Sequence, residues 1–374
     1  MNKIQYCDIK GLHLELTTKC NAMCPMCARN FRGKVRQNLA LTELSLAECK
    51  KILSVRFLKQ LEFISICGVF GDPINCSDLL EILRYIYDIN ANIFINLYTN
   101  GAIKSVDWWR KLAAYLLNGC VIFGIDGMDD TSSIYRVNTN VRDVLRNARA
   151  FIEAGGRAKW DFIAFKHNEM QIAAAKRMSE ELGFVAFEVK KTSRFFKTLY
   201  EKDELLESTH LEYGRYPVYN ANGKIIYYLE LPNQLVYRNN GEEKLLEIID
   251  KYGGLDQYFA SAHINCQAIK THGIFISAFG DVFPCCTVYQ QYCYGEIFHV
   301  QDQSELNEYK IWKAHGNTSA LNYTIEEIVD GRAFNELQTS WKLKTIQEGK
   351  PKACCRACGM EVDFHAEQHS CKRN

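Results

Sequence analysis

The segment Cys20-Asn-Ala-Met-Cys24-Pro-Met-Cys27 places three thiols in a C-x3-C-x2-C spacing, directly after the alternating apolar run LHLELT. Thiolate sulfur is a soft ligand that suits zinc, copper(I) and iron-sulfur clusters. A structural zinc takes four closed nitrogen or sulfur ligands, commonly as two CxxC-type pairs, and no fourth candidate stands nearby. Three thiolates on one short loop suit a 4Fe-4S cluster whose remaining iron is open to chelate a small molecule. Zinc, or three ordinary buried thiols, is the competing reading.

A second group of thiols lies far downstream. Of the chain's 16 cysteines, eight fall at or before Cys120, none between there and Cys266, and eight from Cys266 to Cys371. Cys266 is followed by thirteen residues, Gly280, four residues and Cys285, and much later by Cys355-Arg-Ala-Cys358. Two ligands flanking a hairpin and a distant CxxC can meet at one four-cysteine site, and on spacing alone zinc and iron-sulfur both fit. The register is open, with Cys286 and Cys354 as alternatives to Cys285 and Cys355. Cys7, Cys49, Cys67, Cys76 and Cys120 read as small core residues. The nine histidines form no HExxH, and no GxGxxG or GxxxxGK[ST] supports a nicotinamide or nucleotide-triphosphate enzyme.

The elements that must position these residues follow from periodicity. Short apolar runs at 12–17 (LHLELT), 61–67 (LEFISIC), 93–99 (IFINLYT), 120–126 (CVIFGID), 159–165 (KWDFIAF) and 184–190 (FVAFEVK) read as strands. Amphipathic stretches at 45–58, 77–90, 105–118, 141–154 and 169–182 read as helices between them. Several open on Ser as N-cap, and Gly119, Gly155 and Gly183 follow as helix stops. Six βα units make an α/β fold, an open (βα)6 version of the eightfold barrel, whose chemistry sits on loops at the C-terminal strand ends. The expected organisation is a barrel over 1–192, a connector with a small β element over 193–260, and a small α+β module over 261–374. The connector holds YGRYPVYNANGKIIYYLELP, with a hairpin turn at its Asn-Gly step. The last module begins with a hairpin at 273–282 and has a helix within 324–346.

With 374 residues, 47% hydrophobic and 24% charged, the chain has the composition of a globular protein. Lys+Arg 45 against Asp+Glu 44 leaves +1, so bulk charge makes no case for nucleic acid or anionic lipid. No window has the length of apolar residues a membrane span needs, and the start MNKIQYCDIK lacks an export signal. A cytoplasmic protein is expected.

The cysteine loop on a first β-to-α connection resembles the radical S-adenosylmethionine (radical SAM) superfamily. The resemblance implies that Cys20, Cys24 and Cys27 hold a 4Fe-4S cluster whose open iron binds the methionine part of S-adenosylmethionine. It implies reductive cleavage to a 5'-deoxyadenosyl radical, which takes hydrogen from unactivated C–H bonds. Gly68-Val-Phe-Gly71-Asp72-Pro73 is similar to the family's GGEP loop, with Asp in place of Glu. Thr99-Asn100-Gly101 and Gly124-Ile-Asp126-Gly127 fall where the family faces cofactor or substrate, which makes Asp126 a catalytic and cofactor-facing candidate. Met26 stands where the family often has an aromatic beside the adenine. The C-terminal pattern looks like the Twitch module, the shortened SPASM domain, and implies one auxiliary 4Fe-4S cluster on Cys266, Cys285, Cys355 and Cys358.

Many members of that group modify ribosomally made precursor peptides, by crosslinking, epimerisation or backbone excision as in spliceases, and this is the expected function. The expected partners are a precursor peptide, a separate leader-peptide recognition protein, since about ten residues precede the first strand, and an external one-electron reductant. A radical enzyme of a small carbohydrate or aminocyclitol, and a non-catalytic zinc protein, are the alternatives.

Overall fold

The computed structural model describes residues 3–195, 214–239, 241–298, 307–315 and 317–359. In chain order its strands are β1 (Gly11–Leu14), β2 (Asn30–Phe31), β3 (Lys34–Val35), β4 (Phe63–Ile66), β5 (Phe94–Thr99), β6 (Gly119–Gly124), β7 (Ala158–Ile163), β8 (Ala186–Lys190), β9 (Arg215–Tyr219), β10 (Ile225–Glu230), β11 (Gly273–Ile276) and β12 (Val282–Phe283). An 8-stranded sheet runs β12-β11-β1-β4-β5-β6-β7-β8. All its pairs are parallel except β11 with β12. The six strands read from the sequence are all present and lie side by side in chain order, with helices between them, as a partial barrel requires.

The ladder stops short of the expected strand ends at Leu14, Ile66, Gly124 and Ile163. Glu15, Asp126 and their neighbours therefore leave the ladder and enter the loops at the C-terminal rim. Along β1 the pleat sends Leu12 and Leu14 into the apolar layer and leaves His13 on the other face, against Phe275.

Capping explains where the helices begin. Ser45 caps Leu46–Ile52 with a full capping box on Glu48, and Ser105 caps Val106–Tyr115 through the N–H of Trp108. The stretch read as one helix over 45–58 is two, because Ser54 starts a second cap, on the N–H of Phe57, and opens Val55–Gln60. Ser77 caps nothing; Leu79–Ile89 follows Asp78, whose carboxylate accepts from the N–H of Leu46. Gly155 and Gly183 do end helices, but Gly119 is the first residue of β6. A Cβ there would lie 2.2 Å from the carbonyl of Ile95 on β5, so close strand approach is what requires glycine.

The C-terminal residues join the same sheet. β11 pairs in parallel with β1, Gly11 opposite Gly273, so β1 is an interior strand. Phe275, Phe283, Tyr289 and Trp312 continue the core formed by Leu12, Ile64 and Leu97. The helical stretch within 324–346 is two helices, Ile325–Val329 and Arg332–Ser340. The connector hairpin is β9-β10, with the N–H of Gly223 donating to Asn220 O at the turn. No helix among the described residues is long and apolar enough to cross a membrane.

Candidate functional site

The cysteine loop leaves β1 and is pinned by polar groups that pattern reading does not single out. Buried Arg29 donates to Thr18 O at 3.2 Å, and Asn30 Nδ2 donates to Cys24 O at 3.0 Å. The N–H of Cys27 donates to Cys24 O, and that of Ala22 points at Cys20 Sγ at 3.4 Å. Cys24 and Met26 turn inward with Ala22, Tyr135 and Phe165. Burial raises the Cys20 thiol well above its ordinary range and pushes Cys24 up to about 11.

At the next rim position, Glu15 and Asp72 fix the loop after β4. The Glu15 carboxyl, fully buried, accepts from the N–H of Phe70 at 2.7 Å, and burial raises it to about 7. Gly71 packs so tightly that a Cβ would lie 1.8 Å from Thr17 O. The Asp72 carboxylate accepts from Thr99 Oγ1 at 2.8 Å, from the N–H and Nδ2 of Asn100 at 2.7 Å each, and from the N–H of Ile74 at 3.2 Å. Its oxygens thus tie the loop at Gly71-Asp72-Pro73 to the end of β5. Asn100 Nδ2 in turn lies 3.7 Å from Cys20 Sγ. Cys20, Asp72, Thr99 and Asn100 are brought together across three strand ends.

Asp126 has a partner the sequence did not disclose. Arg136 donates from Nε to Asp126 Oδ2 at 2.5 Å, and its Nη1 lies 4.0 Å from Cys24 Sγ. The other Asp126 oxygen accepts from the N–H of Ile163 at 2.6 Å, and its backbone carbonyl accepts from Asn168 Nδ2. Burial pushes the Asp126 carboxyl up against the pull of the guanidinium, while Arg136 itself is raised. Deeper along the strands, Lys190 Nζ lies 2.9 Å from Glu188 and 3.6 Å from Asp161, whose carboxyl burial raises to about 6.

Residues 14–171, from the end of β1 past β7, match the family model described as Radical SAM superfamily. The chain is also similar in fold to SuiB of Streptococcus suis, at 15% identity over 88% of this chain and 68% of that one, with a TM-score of 0.51. Two further similar structures are anSMEcpe with bound AdoMet (15% identity, 96% and 90% covered, TM-score 0.48) and BtrN with AdoMet and 2-DOIA (14% identity, 99% and 98% covered, TM-score 0.42). No curated protein matches the sequence.

The donor set of the cysteine loop fits an iron-sulfur cluster. N–H groups of Ala22, Asn100 and Arg136 face the sulfurs of Cys20 and Cys24, contacts that stabilise sulfur charge against the burial that raises both thiols. Among the described residues no three His, Cys, Asp or Glu side chains are grouped to hold a single metal ion. A cluster needs no such convergence, because each thiolate binds a different iron.

The downstream thiols gather in a different register from the expected one. The Cys266 thiol is raised foremost by its hydrogen bond with the Cys358 thiol, then by burial and by Cys285 and Cys354 nearby. The N–H of Gln267 points at Cys358 Sγ at 3.4 Å. Cys355 faces away, its sulfur 3.8 Å from Phe259 O. In Lys352–Cys358 both Cys354 and Cys355 are within one turn of Cys358, and it is Cys354 that acts with Cys358 and Cys285 on the Cys266 thiol. Cys67 and Cys286 sit between the two groups: Cys67 feels both Cys286 and Cys27. Cys371 lies outside the described residues.

The β9-β10 hairpin is seated over the cysteine loop. Tyr216 donates to Pro25 O at 3.2 Å, Tyr227 donates to Ile134 O at 2.6 Å, and Val218 and Leu229 are buried against the loop's apolar face. Between hairpin and loop lies a cavity of about 520 Å³ that Met26, Cys27 and Tyr216 help to line.

Proposed function

We propose that the protein is a radical SAM enzyme that cleaves S-adenosylmethionine reductively and modifies a ribosomally made precursor peptide, by crosslinking, epimerisation or splicease-type backbone excision. When bound, a 4Fe-4S cluster and S-adenosylmethionine supply an electron and a 5'-deoxyadenosyl radical able to take hydrogen from an unactivated carbon. The chain's own residues do the holding. Cys20, Cys24 and Cys27 serve as cluster ligands, with Asn100 and Arg136 donating toward their sulfurs. Gly71, Asp72, Pro73, Thr99 and Asn100 form one braced rim that would receive the methionine part, and Asp126 and Met26 are the other residues that would face the cofactor. Cys266, Cys285, Cys354 and Cys358 are the ligands proposed for an auxiliary cluster. A separate leader-recognition protein and an external one-electron reductant complete the system.

The observation that carries the peptide reading is the aromatic hairpin over the cysteine loop, with a cavity of about 520 Å³ beneath it. Tyrosines offer wide apolar faces and a hydroxyl each, and an extended strand beside them is a ready partner for peptide backbone. The test is anaerobic turnover with a precursor peptide encoded beside this chain. A mass change in the peptide that requires both S-adenosylmethionine and reductant supports the reading. Cofactor cleavage with every such peptide unaltered, and with a sugar or aminocyclitol oxidised instead, refutes it.

A further inference from the structure

Four tryptophans are buried, and three of them satisfy the indole N–H on a backbone carbonyl. Trp109 donates to Ile103 O at 3.0 Å, Trp160 to Ile125 O at 2.8 Å and Trp312 to Val282 O at 3.4 Å. Trp341 differs. It is 6% exposed and follows the helix Arg332–Ser340, and its buried Nε1 has no acceptor in full hydrogen-bond geometry among the described residues. The group its N–H approaches is the thiol of Cys354. We infer that Trp341 donates this N–H to the Cys354 sulfur once that sulfur is a cluster ligand, and thereby sets the reduction potential of the auxiliary cluster; the inference rests on the auxiliary cluster proposed above and adds the residue that tunes it.

A neutral thiol is a weak acceptor, whereas a metal-bound thiolate carries charge and accepts well. A buried donor left without a partner costs about 1–3 kcal/mol, and a phenylalanine would fill much of the same space without that cost. Tryptophan at this position is therefore explained by an acceptor that becomes strong only when iron is bound. Cys354 has need of the donor. It is buried in the helix Lys352–Cys358, and the charges of Cys285, Glu308 and Cys358 oppose charge on its sulfur, while Trp341 supports it. Glu308 is held there, fully buried, by the N–H of Ala353, which donates to its carboxyl at 2.8 Å. Another N–H that faces a downstream sulfur, from Gln267 to Cys358 at 3.4 Å, belongs to the backbone and is beyond the reach of side-chain substitution. Hydrogen bonds to the sulfurs of a cluster favour its reduced, more negative state and so raise its potential.

The test uses the full chain, reconstituted anaerobically, and a redox titration followed by electron paramagnetic resonance. The first cluster is recognised by its spectral change on addition of S-adenosylmethionine. Trp341→Phe is expected to keep about eight irons and to weaken reduction of the second cluster about tenfold, which is about 59 mV toward lower potential for one electron, with the first cluster unmoved. A second cluster that titrates as in wild type, or an equal shift of both clusters, overturns the inference and leaves the auxiliary cluster standing. Wild-type protein that holds only about four irons overturns the auxiliary cluster itself. Should Trp341→Phe lose iron through faulty packing, 3-benzothienylalanine placed at position 341 keeps the two fused rings and replaces only the N–H, by sulfur. A lowered potential there, or loss of the second cluster alone at wild-type circular dichroism, supports the inference, and a wild-type potential overturns it.

Discussion

Arg136 lies 2.5 Å from the Asp126 carboxylate and at the same time 4.0 Å from Cys24 Sγ. One cation thus connects the rim after β6 to the middle ligand of the cysteine loop. Asp126 is fully buried and the Arg136 side chain is 20% exposed, so neither charge is well hydrated without the other. Asp126→Asn is expected to lower stability by about 3 kcal/mol, the cost of stranding a buried charge. Denaturant unfolding measures it. Iron loading should fall in parallel, because the freed guanidinium no longer holds its place beside Cys24.

The register of the downstream ligands separates neighbouring thiols. Cys354→Ser should remove about four irons from the reconstituted protein, while Cys355→Ser should leave the content unchanged. Iron and sulfide analysis on both variants decides it. The opposite pattern would restore the ligand set expected from the CxxC spacing alone.

That spacing shows where the sequence was readable and where it was not. The six parallel strands and the first cysteine loop follow from local periodicity and adjacent residues, and they stand where expected. Cys355 against Cys354 depends on which face of a short helix meets Cys266, a residue far away in sequence, and no local pattern reports it. Arg136 escaped for a similar reason: its carboxylate partner, Asp126, reaches it only once β6 and the following loop are in place. β11 is a further case. Its four residues look like a module's own hairpin, yet the parallel pairing with β1 is a long-range contact. Gly119 looked like a helix stop because it follows a helix, while its real constraint is Ile95 across the ladder.

A pH prediction comes from His13 on β1. Desolvation lowers its pKa from 6.5 to about 4, outweighing its hydrogen bond to Cys67 O at 2.7 Å. The folded state therefore disfavours the imidazolium, and the group's contribution is complete above pH 6.5 and is lost as pH falls toward 4. Glu15, raised by burial to about 7, acts in the opposite sense, favouring the fold below 4.5 and losing that contribution as pH rises. Comparing wild type with His13→Gln cancels the Glu15 effect. The variant is expected to keep about 2–3 kcal/mol that wild type loses on acidification through that window. Parallel stability curves for the two proteins would contradict the assignment.

Packing of the hairpin can be tested away from any cofactor. Leu229 is fully buried between β10 and the cysteine loop. Leu229→Ala should cost about 2–5 kcal/mol if the hairpin unfolds together with the barrel, and limited proteolysis should then cut the hairpin sooner than in wild type. Unchanged stability and unchanged cleavage would mean that the hairpin is not seated as described.

The most direct measurement is the formation of 5'-deoxyadenosine from S-adenosylmethionine by the anaerobically reconstituted, chemically reduced protein, set beside its Cys24→Ala variant. The account predicts steady product from wild type and none from the variant, because two remaining thiolates cannot hold a cluster with one open iron. Product from the variant at the wild-type rate, or none from wild-type protein that carries its full iron, would contradict it.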